Sequence, residues 1–161
     1  MELVVDVPMD PVDIDHIDRH VLFALQQNAR EATATRIAES LGVTANTVRN
    51  RIERLEERGI IDGYAPEIKY ERAGYTYTMA IRCTADIADR DRVVEQALEV
   101  EGVVAVRELM TGRRNVEITV VAPDRETVTR AAGRLQELGL TIEEEALLNR
   151  DVTAPFDGFD E

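Results

Sequence analysis

The sequence predicts an α+β protein with an N-terminal winged helix-turn-helix and a C-terminal ferredoxin-like domain of βαββαβ order. Three observations support this fold class. Apolar residues recur at helical spacing from residue 14 to residue 55, the spacing changes to strict alternation at Tyr75, and glycines stand where elements of either kind would end. A chain of 161 residues with 44% hydrophobic residues can form two small cores.

The N-terminal part predicts three helices. The first would run from Ile14 to Asn28, with an apolar face made of Ile14, Ile17, Val21, Leu22 and Leu25. The second would end at Gly42, since helices commonly end at a residue with positive φ. Its apolar stripe consists of Ile37, Ala38 and Leu41. Thr44 suits the N-cap of the third helix, because its hydroxyl can accept from a free amide of the first turn. The buried stripe of that helix consists of Val48, Ile52 and Leu55.

A hairpin is predicted directly after the third helix. Gly59 would end the helix, Ile60-Ile61 would start an extended segment, and Asp62-Gly63 is a strong two-residue turn signal. The return strand would be Tyr64–Tyr70. A short hairpin directly after the third helix of a helix-turn-helix is called a wing.

The C-terminal part predicts a split βαβ arrangement. From Tyr75 to Cys83, apolar and polar residues alternate as in a half-buried strand. The elements that follow are a helix near residues 90–100, strands at 103–110 and 116–122, a helix at 124–138 capped by Asp124, and a strand at 140–150. Both helices of this motif cover the same sheet face. We therefore expect the other face to pack against a second copy in a homodimer.

These elements define five segments of the chain. They are an acidic arm at 1–13, the winged helix-turn-helix at 14–64, a linker strand at 65–74, the ferredoxin-like domain at 75–150 and an acidic tail at 151–161. Phe156 and Phe159 in the tail have two alternative roles. They would cover part of the open sheet face, or they would belong to a disordered end.

The composition is acid-rich and almost free of lysine. There are 32 acidic residues against 19 basic ones, a net charge of −13, and Lys69 is the one lysine. This bias is typical of proteins from a salt-loaded cytoplasm, where carboxylate surfaces stay hydrated, and suggests a halophilic archaeon. Residues 30–61 differ from the rest of the chain because they contain six arginines and five glutamates. The helix-turn-helix is thus nearly neutral.

The location indicated by the sequence is the cytoplasm. Cys83 is the single cysteine and cannot form an internal disulfide, which fits a reducing compartment. Its alternating neighbours indicate a small buried apolar residue. No stretch approaches the roughly 18–20 apolar residues of a membrane span, and no secretory signal is recognisable.

The start of the third helix predicts a contact with double-stranded DNA. Asn and Arg side chains can make bidentate hydrogen bonds to adenine and guanine edges in the major groove. The residues expected to face base edges or the groove floor are Asn46, Thr47, Arg49 and Asn50. Those expected to hold phosphates are Thr44, Arg51 and Arg54. Arg51 has an equal alternative, a salt bridge to the first helix. Gly63 and Tyr64 would shape the wing tip.

This order of domains resembles the Lrp/AsnC family of transcription regulators, whose C-terminal domain is of the ACT/RAM type. The residues that carry the resemblance are the D-x-x-D-x-x-x-L opening within Asp15–Leu25, Arg30, Ile37-Ala38, Leu41-Gly42-Val43, the run from Thr47 to Glu56, Gly59–Tyr64 and Gly74-Tyr75. The resemblance implies promoter binding by dimers, which often assemble into octamers. It also implies an amino acid or related metabolite as effector, bound between C-terminal domains.

One turn departs from the family pattern. The family carries Gly-x-Tyr/Phe-Asp between the second and third strands of the C-terminal domain, beside the effector cleft. Here the run is Gly112-Arg113-Arg114-Asn115-Val116-Glu117, so the aromatic and the acid are replaced. Glu117 could substitute for the missing carboxylate, and the two arginines would favour a carboxylate or phosphate. The alternative is a plain hairpin that binds no small molecule.

Two other functions remain as alternatives. A co-regulator would bind protein through the winged domain, which the acidic composition allows. A haem-pathway decarboxylase of the same architecture would need histidines in the C-terminal domain, but His16 and His20 both lie on the first helix. Their i, i+4 spacing could hold a metal, although no third ligand is near, and we expect surface or partner contacts instead. No catalytic triad or glycine-rich phosphate loop is present, so we expect neither an enzyme nor a cofactor.

Overall fold

The computed structural model describes residues 13–160, so the predicted acidic arm lies almost wholly outside the described residues. The helices are α1 (His16–Asn28), α2 (Ala34–Leu41), α3 (Ala45–Glu57), α4 (Arg90–Ala97) and α5 (Arg125–Glu137). The strands are β1 (Tyr77–Thr84), β2 (Val103–Glu108), β3 (Val116–Ala122) and β4 (Thr141–Leu147). Within residues 13–160 no helix is both long enough and apolar enough to cross a membrane.

The chain folds into two compact units. Among the described residues, the C-terminal unit spans Glu67–Asp151, and the winged unit combines residues 13–66 with residues 152–160. The prediction of a linker strand at residues 65–74 is wrong. That segment contains a single turn of 3₁₀-helix, Tyr70–Ala73, closed by Gly74, and from Glu67 it belongs to the C-terminal unit.

Helices α1, α2 and α3 of the winged unit bury the apolar stripes that the sequence predicts. The buried residues are Val21, Leu22, Ile37, Ala38, Val48 and Leu55. Gly42 has φ +68° and follows α2, and the amide of Val43 donates to the carbonyl of Ala38 at 3.1 Å. This bond closes the helix end in the manner of a Schellman motif, so the tight turn between α2 and α3 depends on a residue without a Cβ.

The predicted wing hairpin does not form. Residues 60–69 contain no strand. The amides of Ile60 and Ile61 donate instead to the carbonyl of Leu55, at 2.9 and 3.2 Å, and so cap the end of α3. Pro66 lacks an amide for a return strand, and a two-stranded hairpin is at best marginal by itself. The segment after α3 is therefore an extended loop.

The C-terminal unit has the predicted βαββαβ order. Its four strands form one antiparallel sheet in the order β2-β3-β1-β4. Helices α4 and α5 pack on one face, where the core contains Ile81, Cys83, Val93, Ala97, Val116, Ile118, Val120, Ala131 and Leu135. The first strand begins at Tyr77 rather than Tyr75, because its partner β3 ends at Ala122 and Pro123 cannot donate to a longer ladder.

Cys83 is completely buried, as predicted for a small apolar residue. Burial, followed by the nearby carboxylates of Glu145 and Glu143, raises the pKa of its thiol to about 11. A thiol with this pKa is almost entirely protonated at neutral pH and is unreactive in the folded protein.

The C-terminal tail packs on the winged unit. Phe159 lies against the apolar cluster of that unit, and its ring contacts Phe156 edge to face at 5.0 Å between centroids. The amide of Phe156 donates to Oε1 of Gln26 on α1 at 3.2 Å. Both alternatives predicted for this segment are therefore wrong. The tail is ordered, and its apolar residues cover α1 rather than the sheet.

Candidate DNA-binding interface

The N-terminus of α3 is fixed by the predicted cap. The amide of Thr47 donates to Oγ1 of Thr44 at 3.1 Å, and the two hydroxyls lie 2.9 Å apart. Thr44 is exposed and Thr47 is half-buried, and their hydroxyls are within hydrogen-bond distance of each other. The first amides of a helix have no partner within the helix itself. A helix end of this kind attracts a phosphate, because unpaired amides and the helix dipole both favour negative charge.

Asn46, Arg49 and Asn50 form the open face of α3. All three side chains are exposed. They lie at i, i+3 and i+4, so they project from one side of the helix. Among the described residues, none of the three makes a hydrogen bond or ion pair through its side chain. Their donors and acceptors are therefore available to a ligand, as the sequence predicts.

Arg51 and Arg54 point the other way, toward α1. Nη1 of Arg51 lies 2.7 Å from Oδ2 of Asp15 and 3.2 Å from Oδ1 of Asp18, while Arg54 bonds Asp18 through Nη2. Asp18 is completely buried. The structure therefore favours the intramolecular alternative for Arg51 and extends it to Arg54. In this structure both guanidinium groups are paired with carboxylates of α1.

Asp15 completes this cluster of Asp15, Asp18, Arg51 and Arg54, which we call the α1–α3 ion cluster. Its carboxylate caps α1 by accepting from the amides of Ile17 and Asp18, at 2.9 and 3.0 Å. The hydrogen bond from the Asp18 amide, with those from Arg51 and Ile17, lowers the pKa of this carboxyl below its usual value. The cluster thus joins the first turn of α1 to the middle of α3.

Sequence analysis missed the burial of Asp18. The D-x-x-D spacing places Asp15 and Asp18 in a capping box, and that motif alone would leave both exposed. A second signal was present, since Arg51 and Arg54 also lie three residues apart on α3. Two pairs of opposite charge at matching spacing on two packed helices indicate an interhelical contact.

The C-terminal half of α3 is acidic. Glu53, Glu56 and Glu57 are exposed beyond the open face of Asn46, Arg49 and Asn50. A phosphate backbone would be repelled there, whereas it is not repelled at the N-terminal end. This gradient favours an approach in which only the first two turns of α3 enter a groove, which is how recognition helices of this class dock.

Gly63 and Tyr64 lie on the extended loop after α3. Gly63 does not have a positive φ, in keeping with the absence of a hairpin turn. The Tyr64 hydroxyl donates to Oε1 of Glu56 at 2.8 Å, and burial together with this carboxylate raises its pKa to about 12. Tyr64 therefore fastens the loop to α3, while more than half of its surface remains exposed.

The predicted effector residues do not form one site. Asn115 is completely buried, with Oδ1 accepting from the Ala85 amide at 2.8 Å and Nδ2 donating to the Ala85 carbonyl at 2.9 Å. The prediction that it faces a ligand is wrong, because both polar atoms of its carboxamide are hydrogen-bonded to the backbone of Ala85, directly after β1. Glu117 is also engaged, at 3.4 Å from both Arg82 and Arg107.

The arginines of the same turn are exposed. Arg113 pairs with Glu143 at 3.2 Å, and Arg114 has φ +51° while its amide donates to Oγ1 of Thr84 at 2.9 Å. Hydrogen bonds from Thr84 and Arg113 lower the pKa of the Glu143 carboxyl. A Cβ added at Gly112 would meet no other atom within 4 Å. The turn is an exposed connection between β2 and β3. Its two arginine side chains lie near glutamates of β4, which belongs to the same sheet.

The histidines show no metal site. His20 is within hydrogen-bond distance of Ser40 on α2, 2.9 Å from its Oγ. Across residues 13–160 there is no group of three or more His, Cys, Asp or Glu side chains placed to hold a metal ion. His20 therefore contributes to the packing of α1 against α2.

Several known proteins are similar in sequence to this chain. A family model described as winged helix-turn-helix DNA-binding matches residues 14–62. An uncharacterized HTH-type transcriptional regulator of Pyrococcus horikoshii is 36% identical over 123 residues, which cover 74% of this chain and 81% of that protein. The HTH-type transcriptional regulator LrpA of the same organism is 41% identical over 63 residues, covering 39% of this chain and 44% of that protein.

Solved structures share the whole architecture. Escherichia coli AsnC superposes with a TM-score of 0.69 at 22% identity and covers 88% of this chain and 96% of its own. The leucine response regulatory protein LrpA of Mycobacterium tuberculosis gives a TM-score of 0.75 at 19% identity, covering 89% and 97%. At these identities the likeness concerns the fold. It confirms the α+β class and the ferredoxin-like C-terminal unit.

Proposed function

We infer that this chain, which belongs to the Lrp/AsnC family of HTH-type transcription regulators, binds double-stranded promoter DNA through the first two turns of α3. Membership of this family also agrees with the expectation that the chain is not an enzyme. The observation that carries the proposal is the open face of α3, where Asn46, Arg49 and Asn50 are exposed without partners among the described residues.

Each element of the interface has a separate task in this proposal. Asn46, Arg49 and Asn50 hydrogen-bond base edges, and the N-terminus of α3 with Thr44 and Thr47 receives a backbone phosphate. The loop with Gly63 and Tyr64 contacts the DNA beside the helix. The α1–α3 ion cluster holds α3 at a fixed angle, since Arg51 and Arg54 are paired with α1.

The charge of the chain decides how this binding responds to salt. With a net charge of −13, attraction to DNA over long distances is weak. Affinity must come from hydrogen bonds and shape at the helix, while counterion release contributes little. We propose that the protein works in the salt-rich cytoplasm of a halophilic archaeon, where salt screens the repulsion between its carboxylates and DNA.

The proposed active species is a homodimer. One α3 reaches few base pairs, so two copies would read an inverted repeat with half-sites about one helical turn apart. Further assembly to an octamer and modulation by a small metabolite follow from the family resemblance. If a metabolite binds near the Gly112–Arg114 turn, Arg113 and Arg114 are the side chains available to it, because Asn115 is buried and Glu117 is paired.

The test measures affinity for duplexes selected from a random library as KCl rises from about 0.1 M to about 2 M. The Arg49→Ala/Asn50→Ala double variant is compared with Arg92→Ala/Gln96→Ala, which likewise removes one arginine and one carboxamide, but from α4. We expect specific binding to persist at high salt and to fall about 100-fold or more in the first variant, because each bidentate base contact is worth about 1–3 kcal/mol. The α4 variant should bind as the wild type does.

Equal binding by the Arg49→Ala/Asn50→Ala variant would overturn the proposed role of α3. If the wild type selects no duplex at any salt concentration, the co-regulator that contacts protein becomes the better explanation. In either case a dimer measured by sedimentation would leave the homodimer proposal intact.

A further inference from the structure

The sheet face without helices carries a row of alternating charges. Arg107 on β2 lies opposite Glu117 on β3, Glu117 lies opposite Arg82 on β1, and Arg82 lies opposite Glu144 on β4. Each neighbouring pair is 3.4 Å apart between its charged atoms. Across the sheet the order of charge is therefore positive, negative, positive, negative. We call this row the charge ladder.

The residues beside the ladder are small. The adjacent row on the same face is Ala105, Thr119, Ala80 and Ala146, again one residue from each strand. Short side chains allow another sheet to approach closely, at the roughly 10 Å spacing of packed sheets. The same face holds an open cleft of about 490 Å³, lined partly by Thr78, Ala105 and Thr119. Short side chains thus lie directly beside the fixed charges of the ladder.

A second copy of this chain is the partner whose charges fit the ladder. In a two-fold dimer of facing sheets, the symmetry axis lies between the sheets. If the axis runs along the strands, the second ladder arrives at the same height in reversed order. Arg107 then faces Glu144 of the second copy, and Glu117 faces its Arg82, so every opposed pair has opposite signs.

Other orientations lose this complementarity. If the axis runs across the strands along the ladder, the order is kept and like charges face each other. If it crosses the strands elsewhere, the two ladders do not meet and the charges gain no partner from the other copy. Charge complementarity selects between such arrangements more strongly than it adds affinity. Burial in an interface also shields these pairs from salt.

We propose that the charge ladder sets the orientation of the homodimer, with the two-fold axis parallel to the strands and Arg107 opposed to Glu144 of the second copy. This inference rests on the homodimer proposed above. It adds that the ladders of both copies face each other in the interface. In any other orientation of the two copies, the charges of one ladder would not face opposite charges of the other.

The test uses charge reversal at the two ends of the ladder. In a homodimer of the Arg107→Glu variant, the new glutamate would face Glu144 of the second copy. In a homodimer of the Glu144→Arg variant, the new arginine would face Arg107 of the second copy. Each variant should therefore self-associate at least 10-fold more weakly than the wild type. An equimolar mixture should form mainly heterodimers, which native mass spectrometry distinguishes by mass. The double variant Arg107→Glu/Glu144→Arg should dimerise with itself again, because reversal places its new Glu opposite its new Arg.

The control pair is Arg92→Glu and Glu99→Arg, which reverse exposed charges at α4 on the opposite side of the sheet. These two should each dimerise like the wild type and mix statistically. If the wild type is a dimer and the ladder variants behave like the control pair, the proposed orientation is wrong although the homodimer stands. If the wild type is a monomer at every concentration, the homodimer itself is refuted. Circular dichroism of each single variant verifies its fold, and recovery in the double variant is evidence that misfolding did not cause the loss.

Discussion

Among residues 13–160, each of the two units buries one strongly polar side chain completely, and the two side chains have different hydrogen-bond partners. In the winged unit Asp18 faces the guanidinium groups of Arg51 and Arg54. In the C-terminal unit Asn115 faces the backbone of Ala85. The first arrangement joins two helices through charged side chains, whereas the second closes a loop through neutral hydrogen bonds.

The two buried side chains therefore have different structural effects: Asp18 fixes the orientation of a helix, and Asn115 closes a loop. A charged cluster between α1 and α3 constrains the angle of α3. Nη1 of Arg51 bridges the carboxylates of Asp15 and Asp18, and a charge-assisted hydrogen bond is about twice as strong as a neutral one. A carboxamide paired with one residue's amide and carbonyl fixes only the join between β1 and β3. Arg51 and Arg54, which the sequence suggested for phosphate contact, are thus used inside the winged unit. Asn115, which it suggested for effector contact, is likewise used inside the C-terminal unit.

The largest expected effect comes from removing the charge of Asp18. Asp18→Asn keeps the shape but leaves the partly buried guanidinium group of Arg54 without its counterion and that of Arg51 with Asp15 alone. We expect the free energy of unfolding of the winged unit to fall by about 3 kcal/mol, since breaking a buried ion pair from one side typically costs about 3–5 kcal/mol. Urea denaturation measures the change in the free energy of unfolding. Faster hydrogen exchange in peptides from α1 and α3 would assign that change to the winged unit.

Asp62→Asn is the matched control for Asp18→Asn. Asp62 is exposed in the same unit, so its neutralisation should change stability by less than about 0.5 kcal/mol. Equal effects of the two variants would mean that net charge, not the α1–α3 ion cluster, governs stability.

A smaller loss is expected from Asn115→Ala in the C-terminal unit. The variant leaves the Ala85 amide and carbonyl buried without partners, which should lower the free energy of unfolding of this unit by about 2 kcal/mol. Asn149→Ala, at an exposed position, should be neutral. Because Asn115 closes a loop without touching α3, its replacement should leave DNA affinity unchanged, whereas Asp18→Asn should weaken it. Equal loss of DNA affinity in both variants would contradict the distinction between orientation and closure.

Sequence patterns predict the regular elements of this protein well. Apolar spacing located all five helices and all four strands, and Gly42, Thr44 and Asp124 set helix ends where expected. The exposed face of Asn46, Arg49 and Asn50 was also predictable, since the apolar stripe of α3 fixes its opposite side. Periodicity carries this information because it depends only on neighbouring positions.

The failures involve one local competition at the end of α3 and two contacts between distant positions. Asp62-Gly63 has the composition of a hairpin turn, but the amides of Ile60 and Ile61 are used to cap α3. The charge of Asp18 gives no local sign that arginines more than thirty residues later will enclose it. Phe159 likewise meets α1 only after the chain has passed through the other unit.

The smallest expected effect concerns Asp15, the exposed member of the α1–α3 ion cluster. Asp15→Asn keeps the N-cap of α1, because Asn caps about as well as Asp, but it removes the ionic bond to Arg51. Since that side chain is 44% exposed, we expect a loss below about 1 kcal/mol at neutral pH.

The pH dependence of this small loss distinguishes it from a packing defect. The folded-state pKa of Asp15 is lowered from its unfolded value of 3.8. The charged form therefore stabilises the fold fully above pH 3.8, and this contribution disappears as pH falls through the folded pKa. The difference in free energy of unfolding between wild type and Asp15→Asn, measured by denaturation at a series of pH values, should shrink toward zero in acid. A difference that is constant with pH would mean that the exposed carboxylate acts through its shape, and that the charge of the cluster resides in buried Asp18.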